Sequence, residues 1–417
     1  MALTPPTIAK HPHHARPLAL AALACMLLAG CAGQSRPLAA NGPGPDDPPV
    51  VRNTTQSHQT LDQMLQQDDF DLPRALLLFS EEFYPEFSGK QRHEVDVEAK
   101  LARFDAYASD LRAALRRNKT PRTRLATLIE FVHVKLGLRF DATDPSGAKA
   151  DNLFFDRVLQ NRTGYCVTLS LAYLVFGQAA GLDVVGIRVP THFTVRFRDQ
   201  EADGQPYETL VETTAAGETQ QDTYYWAKYR FSTTSVQNGV YLTPLTDKQI
   251  FGTIYNNLAG LTYLRGNNEL AVERYTKALE LAPNNAEALY NRALVLRMLQ
   301  RDKDALKDFN AAIRLDPNFV FCYLARARLL FDAGERAQAK EDLGEAMRKR
   351  PDWPEPHMMN GIFLSREGDL DAAKAAFLRV LEIDKGFNAA RIAIAELERT
   401  RGNEREARKW EEEAGIR

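Results

Sequence analysis

Three residues in the middle of the chain carry side chains that could act together in nucleophilic catalysis. Cys166 lies in the sequence Gly-Tyr-Cys, His192 follows Pro-Thr, and Glu212 lies between Val and Thr. A cysteine sulfur attacks a carbonyl carbon once a histidine has taken its proton, and a carboxylate fixes the orientation of that histidine. The chain order of thiol, imidazole and carboxylate therefore indicates a nucleophile, its base and an orienting acid.

The elements that must position these side chains can be predicted from the apolar spacing around them. The segment from Cys166 to Gly181 has the spacing of an α-helix, which places the thiol in the first turn. Unpaired backbone N–H groups and the helix dipole favour an anion there, and hence the reactive thiolate. Residues 182–190, 192–197 and 207–214 are predicted to be strands. We therefore expect His192 to open one strand and Glu212 to lie near the end of the next.

An acyl intermediate on sulfur also needs hydrogen-bond donors for its oxyanion. The backbone N–H of Cys166 would supply one of them. A side-chain amide would supply the other, and Asn152, Gln160 and Asn161 are the candidates. The residue types alone do not choose among the three.

The sequence has none of the motifs that hold a phosphate or a metal ion. It contains no glycine-rich phosphate loop, no His-Glu-x-x-His motif and no pair of histidines at metal-ligand spacing. We therefore expect chemistry without a cofactor or a metal.

The composition excludes several classes of protein. The chain has 417 residues, with 53 Lys and Arg against 55 Asp and Glu, so no basic excess exists to neutralise a nucleic acid backbone. Hydrophobic residues make up 44% and charged residues 26%, which is the mixture of a folded globular protein. The four cysteines include no Cys-x-x-Cys pair, which argues against a disulfide framework or a thiolate zinc site.

The first thirty residues have the pattern of a secretory signal peptide. They contain no acid, carry Lys10 and Arg16, and run apolar over 18–28, which is too short to span a bilayer. The run ends at Leu-Ala-Gly-Cys, which resembles the lipobox of bacterial lipoproteins. The resemblance implies cleavage before Cys31, a lipid on Cys31 that contacts the membrane, and, because Ala32 follows, the periplasmic face of the outer membrane. Residues 31–60 are rich in Pro and Gly and are predicted to be a flexible tether.

The last third of the chain is an internal repeat. Alanines recur every 34 residues, and prolines share the period in the first three units. This pattern resembles the tetratricopeptide repeat, with departures at Val380 and Lys385, and it predicts stacked pairs of antiparallel helices. Such arrays bind peptides or proteins in a groove, so a protein or peptide partner is expected. The other possibility is that the array only supports the preceding domain. The alanines are Ala271, Ala305, Ala339, Ala373 and Ala407.

The region around the three candidate residues resembles the transglutaminase-like superfamily. The matching stretches are 152–159, the Gly-Tyr-Cys sequence, Gly181-Leu182, Pro-Thr-His-Phe at 190–193, and 241–245. The resemblance implies that Cys166 is the nucleophile, His192 the base and Glu212 the acid. The family commonly has Asp in place of this Glu, so the strand that carries Glu212 would lie slightly further from His192.

The sequence thus predicts an α+β transglutaminase-like, papain-like domain followed by an all-α tetratricopeptide repeat solenoid. The predicted function is that of a lipid-anchored periplasmic thiol enzyme that acts on amide bonds, hydrolysing them rather than cross-linking, while its repeats bind a protein. The alternative is a catalytically silent envelope scaffold. The predicted segments are 1–30 signal peptide, 31–60 tether, 61–129 helical region, 130–249 transglutaminase-like domain and 250–417 repeats of about four and a half units.

Overall fold

The computed structural model describes residues 58–89, 91, 94–144 and 147–416. The predicted signal peptide, the lipidation of Cys31 and almost all of the tether lie outside the described residues. Within the described part of the chain, no helix combines the length and the apolar character needed to cross a membrane. The chain folds as two compact units that divide after Ala288.

The N-terminal unit opens with helices that begin at side-chain caps. An oxygen of Thr60, Asp71, Asp96 or Thr120 accepts a backbone N–H in the first turn of each helix. Such a cap stabilises a helix by about 1 kcal/mol. The helices are α1 (Leu61–Gln66), α2 (Leu72–Ser88), α3 (Val97–Leu115) and α4 (Pro121–Glu130), which continues as one π-helical turn, Phe131–Lys135.

The central helix, α6 (Cys166–Ala179), is buried on every side over its middle turns. It packs against the strands on one face and against α3 and the short helix α5 (Phe155–Asn161) on another. Phe176 of α6 meets the rings of Phe104 and Phe155 edge-on or tilted. A helix that is apolar all round belongs in the interior, and this one anchors the core from which Cys166 projects.

The sheet is antiparallel and has the strand order β6-β5-β4-β3-β7. The central strand β4 carries Phe193, Val195 and Phe197, all buried, because helices cover this part of the sheet. The three strands predicted at 182–190, 192–197 and 207–214 are present, but some of their first and last residues differ from those predicted. The strands are β3 (Asp183–Val189), β4 (His192–Gln200), β5 (Pro206–Glu212), β6 (Glu218–Gln220) and β7 (Pro244–Leu245), and a separate parallel pair joins β1 (Arg139–Phe140) to β2 (Thr163–Gly164).

The first pair of repeat helices shares its core with the preceding α+β region. These helices are α9 (Asp247–Leu264) and α10 (Asn268–Leu281), and they follow the short helices α7 (Asp222–Tyr229) and α8 (Thr233–Gln237). Phe251 of α9 lies 5.7 Å from Phe70 and 6.1 Å from Phe79, measured between ring centroids. The predicted division at 249/250 therefore falls inside one hydrophobic core, because the first repeat has no preceding repeat to cover its apolar face.

The C-terminal unit is entirely helical over its described residues. The alanines of the 34-residue period are buried because they lie where paired helices approach closely. At Gly361 an added Cβ would collide with the ring of Phe377, so the close approach there requires glycine. The helices are α11 (Ala286–Met298), which begins before the division, α12 (Asp302–Leu315), α13 (Val320–Asp332), α14 (Arg336–Lys349), α15 (Pro354–Glu367), α16 (Leu370–Ile383), α17 (Asn388–Thr400) and α18 (Glu404–Glu413).

Candidate active site

Cys166 is the first residue of α6, as the apolar spacing predicts, and its side chain is partly exposed. Just before the helix, close packing leaves no room for a side chain at Gly164. A Cβ there would lie 2.8 Å from Thr168 Oγ1 and 2.9 Å from Val158. Thr168 ties the start of the helix to neighbouring backbone, because its Oγ1 accepts the Tyr165 N–H and donates to the Asn152 carbonyl. The first N–H groups of a helix have no intrahelical acceptor, so those beside Cys166 can face a substrate.

His192 is the first residue of β4 and is held by a strained turn. Val189 and His192 pair across the hairpin, so Pro190 and Thr191 form a two-residue turn. Thr191 has φ of 59°, which is unfavourable for a β-branched residue. Its backbone N–H donates to the carboxylate of Glu287, the second residue of α11. The hydrogen bond to Glu287 thus stabilises the positive φ of Thr191, which a β-branched residue disfavours.

Replacing Glu287 with alanine should therefore slow the reaction of Cys166 with iodoacetamide by roughly tenfold, because the turn relaxes and His192 is no longer held at the sulfur. The measurement is the rate of carbamidomethylation of Cys166, followed by mass spectrometry. Glu280→Ala, which removes an exposed glutamate from α10, is the matched control and should react like the wild type. An unchanged rate in Glu287→Ala would show that the turn holds its shape without this bond.

The structure brings the three candidate residues together. His192 Nε2 lies 2.7 Å from Glu212 Oε1 and 2.9 Å from Oε2, and the Cys166 side chain is close enough to the imidazole to raise the pKa of His192. Because Nε2 faces the carboxylate, Nδ1 is the ring nitrogen available to the sulfur. The side chains of His192 and Glu212 are 14% and 13% exposed. The three groups thus lie side by side, and Cys166 is the partly buried residue at one end of the series.

The register of β4 and β5 explains how glutamate can serve as the acid. Val195 pairs with Val211, so Glu212 is level with Thr194 and diagonal to His192. Diagonal neighbours in an antiparallel pair are about 7–8 Å apart at Cα. The additional methylene of glutamate reaches across this diagonal, and the two strands remain directly paired.

The electrostatics favour a charged pair between imidazole and carboxylate. Burial acts against the imidazolium, yet the hydrogen bonds and negative charges of Cys166 and Glu212 outweigh it and raise the pKa of His192 well above its usual value. Burial likewise acts against the Glu212 carboxylate, but its hydrogen bonds to His192, Thr214 and Tyr225 lower its pKa to about 2. At neutral pH the geometry therefore supports an imidazolium facing a carboxylate.

Residues that the sequence reasoning missed hold the carboxylate and the helix in place. Thr214 Oγ1 donates to Glu212 Oε1 at 2.8 Å, and the Tyr225 hydroxyl donates to Oε2 at 3.0 Å. The buried hydroxyls of Thr213 and Ser170 lie 3.0 Å apart and tie the end of β5 to α6. The two threonines that directly follow Glu212 in the sequence could have indicated the contact from Thr214. No residue near Tyr225 along the chain indicates that its hydroxyl reaches Glu212.

None of the three predicted oxyanion amides is directed at a substrate. Both N–H bonds of Asn152 go to carboxylates, those of Asp141 at 3.0 Å and Asp144 at 2.8 Å. Asn161 donates to Asp151, and Gln160 accepts from Arg157, both on exposed surface. The prediction that the Asn152 side chain donates to the oxyanion is therefore corrected, because its buried amide donates to the nearby carboxylates instead. The backbone N–H of Cys166 remains the candidate donor.

The other described thiol and the acidic clusters offer no second catalytic site. Cys322 is buried in α13, and burial raises its thiol pKa well above the usual value. Among the described residues no group of three or more His, Cys, Asp or Glu side chains could hold a metal ion.

Comparison with known families agrees with this architecture. Residues 98–256 match the family described as "Transglutaminase-like superfamily". Residues 261–300 match "TPR repeat", and residues 286–319 and 359–387 match "Tetratricopeptide repeat". The α+β domain and the helical array each have a family counterpart.

The curated relatives match about a third of this chain. "DnaJ homolog subfamily C member 7" of Homo sapiens and of Mus musculus is 27% identical over 137 residues, which are 32% of this chain and 27% of each relative. The chain thus spans about a quarter of the length of these curated relatives.

Solved structures show a similarly partial likeness. MamA is 22% identical over 37% of this chain and 91% of its own, with a TM-score of 0.34. The pilF protein of Pseudomonas aeruginosa is 21% identical over 40% and 77%, with a TM-score of 0.37. YrrB, described as a TPR protein with an unusual peptide-binding site, is 26% identical over 39% and 83%, with a TM-score of 0.32.

Proposed function

Because the chain joins a transglutaminase-like domain to tetratricopeptide repeats, we propose that it is a thiol enzyme acting on amide bonds of a protein or peptide that the repeats help to recruit. The observation that carries the proposal is the His192 ring, which hydrogen-bonds the Glu212 carboxylate and has the Cys166 side chain near enough to raise its pKa. The partial exposure of Cys166 leaves the sulfur accessible to a substrate carbonyl.

In the proposed reaction the Cys166 thiol has already passed its proton to His192, and the thiolate beside the imidazolium attacks the amide carbon. The C–N bond then breaks, the amine leaves with the proton from the imidazolium, and a thioester remains on Cys166. The backbone N–H of Cys166 stabilises the oxyanion of the tetrahedral intermediate. Water, deprotonated by His192, hydrolyses the thioester and restores the thiol. Glu212 holds the imidazole in the required orientation throughout.

Hydrolysis is the proposed outcome because Cys166 is partly exposed, so we expect water to reach the thioester. Transfer to an amine would require an acceptor site that excludes water. Product analysis with and without an added primary amine separates the two reactions.

The proposed location is the periplasmic face of the outer membrane, with the chain held by a lipid on Cys31. The sequence pattern of residues 1–32 supports it. Incorporation of labelled palmitate that disappears in Cys31→Ser is the expected observation, and equal incorporation in both proteins would refute the anchor.

A second candidate function is binding without catalysis. The helices from Asp247 to Glu413 are devoted to repeats, which is more chain than the domain carrying the three polar residues. A scaffold of this kind would keep its partners and its cellular effect when Cys166 is replaced.

The deciding experiment is labelling with a thiol-directed acyl probe. We expect the wild type and Cys322→Ala to be labelled and Cys166→Ala to remain unlabelled, because of the two cysteines in the described residues Cys166 is partly exposed and lies beside a histidine, whereas Cys322 is buried. Cys322→Ala is the matched control for loss of a thiol. Equal labelling of Cys166→Ala and the wild type would exclude the enzyme and leave the scaffold.

A further inference from the structure

Three arginines from three successive repeats converge on one aspartate in the C-terminal unit. Asp332 Oδ2 accepts from Arg297 Nη2 at 3.1 Å and from Arg328 Nε at 2.9 Å, and its Oδ1 accepts from Arg366 Nη1 at 3.1 Å. We call Arg297, Arg328 and Arg366 the arginine triad.

The helical repeat places these side chains together. Arg297, Asp332 and Arg366 lie in the last turns of α11, α13 and α15, which are the first helices of three consecutive pairs. Arg328 is one turn before Asp332 on the same face of α13. The triad thus lies on the side of the array that the first helices form, where each repeat adds to one continuous surface.

The side chains of this cluster are accessible to solvent, and their ion pairs contribute little to the stability of the fold. The triad side chains are 27%, 34% and 49% exposed, and Asp332 is 37% exposed. Exposed ion pairs of this kind contribute about 0–1 kcal/mol each to stability. The fold of the unit therefore depends on its buried alanines and aromatic residues and does not require this concentration of charge.

The charges at the cluster do not balance. Three guanidinium groups pair with the Asp332 carboxylate, and Asp302 acts on Arg297 as a second negative charge, so a formal charge of +1 remains at this point. The nearby Glu367 is paired with Lys340 of α14 and does not neutralise the triad. Each guanidinium has five N–H donors in a planar fork that suits a carboxylate, and the bonds to Asp332 use one donor from each arginine.

We propose that the arginine triad is the docking site for an acidic segment of the protein partner, whose side-chain carboxylates pair with the N–H donors that Asp332 leaves available. Asp332 holds the three guanidiniums together and sets their spacing. Met298, next to Arg297 and 57% exposed, offers an apolar contact beside the charged groups. This inference rests on the proposed role of the repeats in partner binding and adds the chemistry of the partner.

The test uses the full chain with Cys166→Ala and fluorescent, amidated peptides that contain Glu-Glu-Leu-Glu-Glu, its Gln counterpart or its Lys counterpart. We expect the Glu peptide to bind at least about tenfold more tightly than the Gln peptide, with the difference shrinking as salt is added. The triple variant Arg297→Gln, Arg328→Gln, Arg366→Gln should lose this preference. Asp332→Asn keeps one oxygen that can accept from the arginines and removes the internal negative charge, so it should bind the Glu peptide more tightly than the wild type.

The matched control is Arg348→Gln combined with Arg379→Gln, two exposed arginines of the same unit that each pair with a glutamate three residues away. It should bind like the wild type. Thermal unfolding followed by circular dichroism reports whether the triple variant keeps its helices, and Arg366→Gln alone replaces it if it does not.

Equal binding of the Glu peptide by the wild type and the triple variant would overturn the inference, as would equal losses in the triple variant and the control. A preference for the Gln or Lys peptide would also overturn it, but would leave the repeats as a peptide-binding array. Binding of none of the peptides would contradict both this inference and the recruiting role of the repeats. The acyl-probe experiment tests the enzymatic role separately.

Discussion

Replacing His192 with asparagine should slow the alkylation of Cys166 by iodoacetamide at pH 6 by about 10²–10⁴-fold. The hydrogen bonds to Glu212 and the nearby Cys166 side chain raise the pKa of His192, so the wild type keeps an imidazolium beside the sulfur at this pH. The imidazolium stabilises the thiolate, which is the form that reacts. Without it, the thiolate has only the helix N-terminus to stabilise it. The rate is measured by mass spectrometry of the peptide that contains Cys166.

The pH dependence separates this role from a loss of folding. Above about pH 9 an ordinary thiol ionises without assistance, so the rates of His192→Asn and the wild type should converge there. His357→Asn, which replaces a partly buried histidine of the repeat array, is the matched control and should follow the wild type at all pH values. A wild-type rate at pH 6 in His192→Asn would remove the histidine from the proposed mechanism.

Replacing Glu212 with glutamine should lower amide hydrolysis at pH 8 by about 10²–10⁴-fold, because the imidazole loses both its anionic partner and its fixed orientation. Burial would then lower the pKa of His192 without the compensating carboxylate. The alkaline limb of the pH profile of Cys166 alkylation should therefore move to lower pH. Steady-state kinetics and the alkylation profile together measure the two effects.

The same substitution should destabilise the N-terminal unit in a defined pH window. The pKa of Glu212 is lowered to about 2 from an ordinary value of 4.5, so its contribution is present above about pH 4.5 and is lost as the pH falls toward 2. The raised pKa of His192 makes its contribution complete below about pH 6.5 and lost as the pH rises through that pKa. Urea unfolding should thus show the largest difference, up to about 3 kcal/mol, between about pH 4.5 and 6.5.

Glu218→Gln is the matched control for these measurements. Glu218 lies opposite Glu212 on the neighbouring strand β6 and is exposed, so its removal changes the local charge without changing the contact to His192. It should leave both the alkylation profile and the acid sensitivity close to those of the wild type. If Glu218→Gln reproduced the effects of Glu212→Gln, a general field of negative charge would explain them and the specific contact would not.

The repeat array could be predicted from the sequence in detail. A small residue such as Ala305 is required wherever two helices approach closely. Because every repeat has this close approach, small residues recur at a fixed interval that can be counted in the sequence. Cys166 and its helix were predictable for a similar reason, since a helix start has a local signature. The order of thiol, imidazole and carboxylate followed from residue types placed on predicted elements.

Only the tertiary structure decided what each side chain contacts. Asn152 was a reasonable oxyanion donor by type and position, but the fold directs its amide to Asp141 and Asp144. Tyr225 reaches Glu212 from a helix beyond the sheet, and Asp332 collects arginines from three repeats. Such contacts depend on how distant elements are oriented, whereas a period or a helix start depends on neighbours along the chain. The sequence therefore determined the elements and the reactive residue types, and the packing of those elements determined which polar groups satisfy one another.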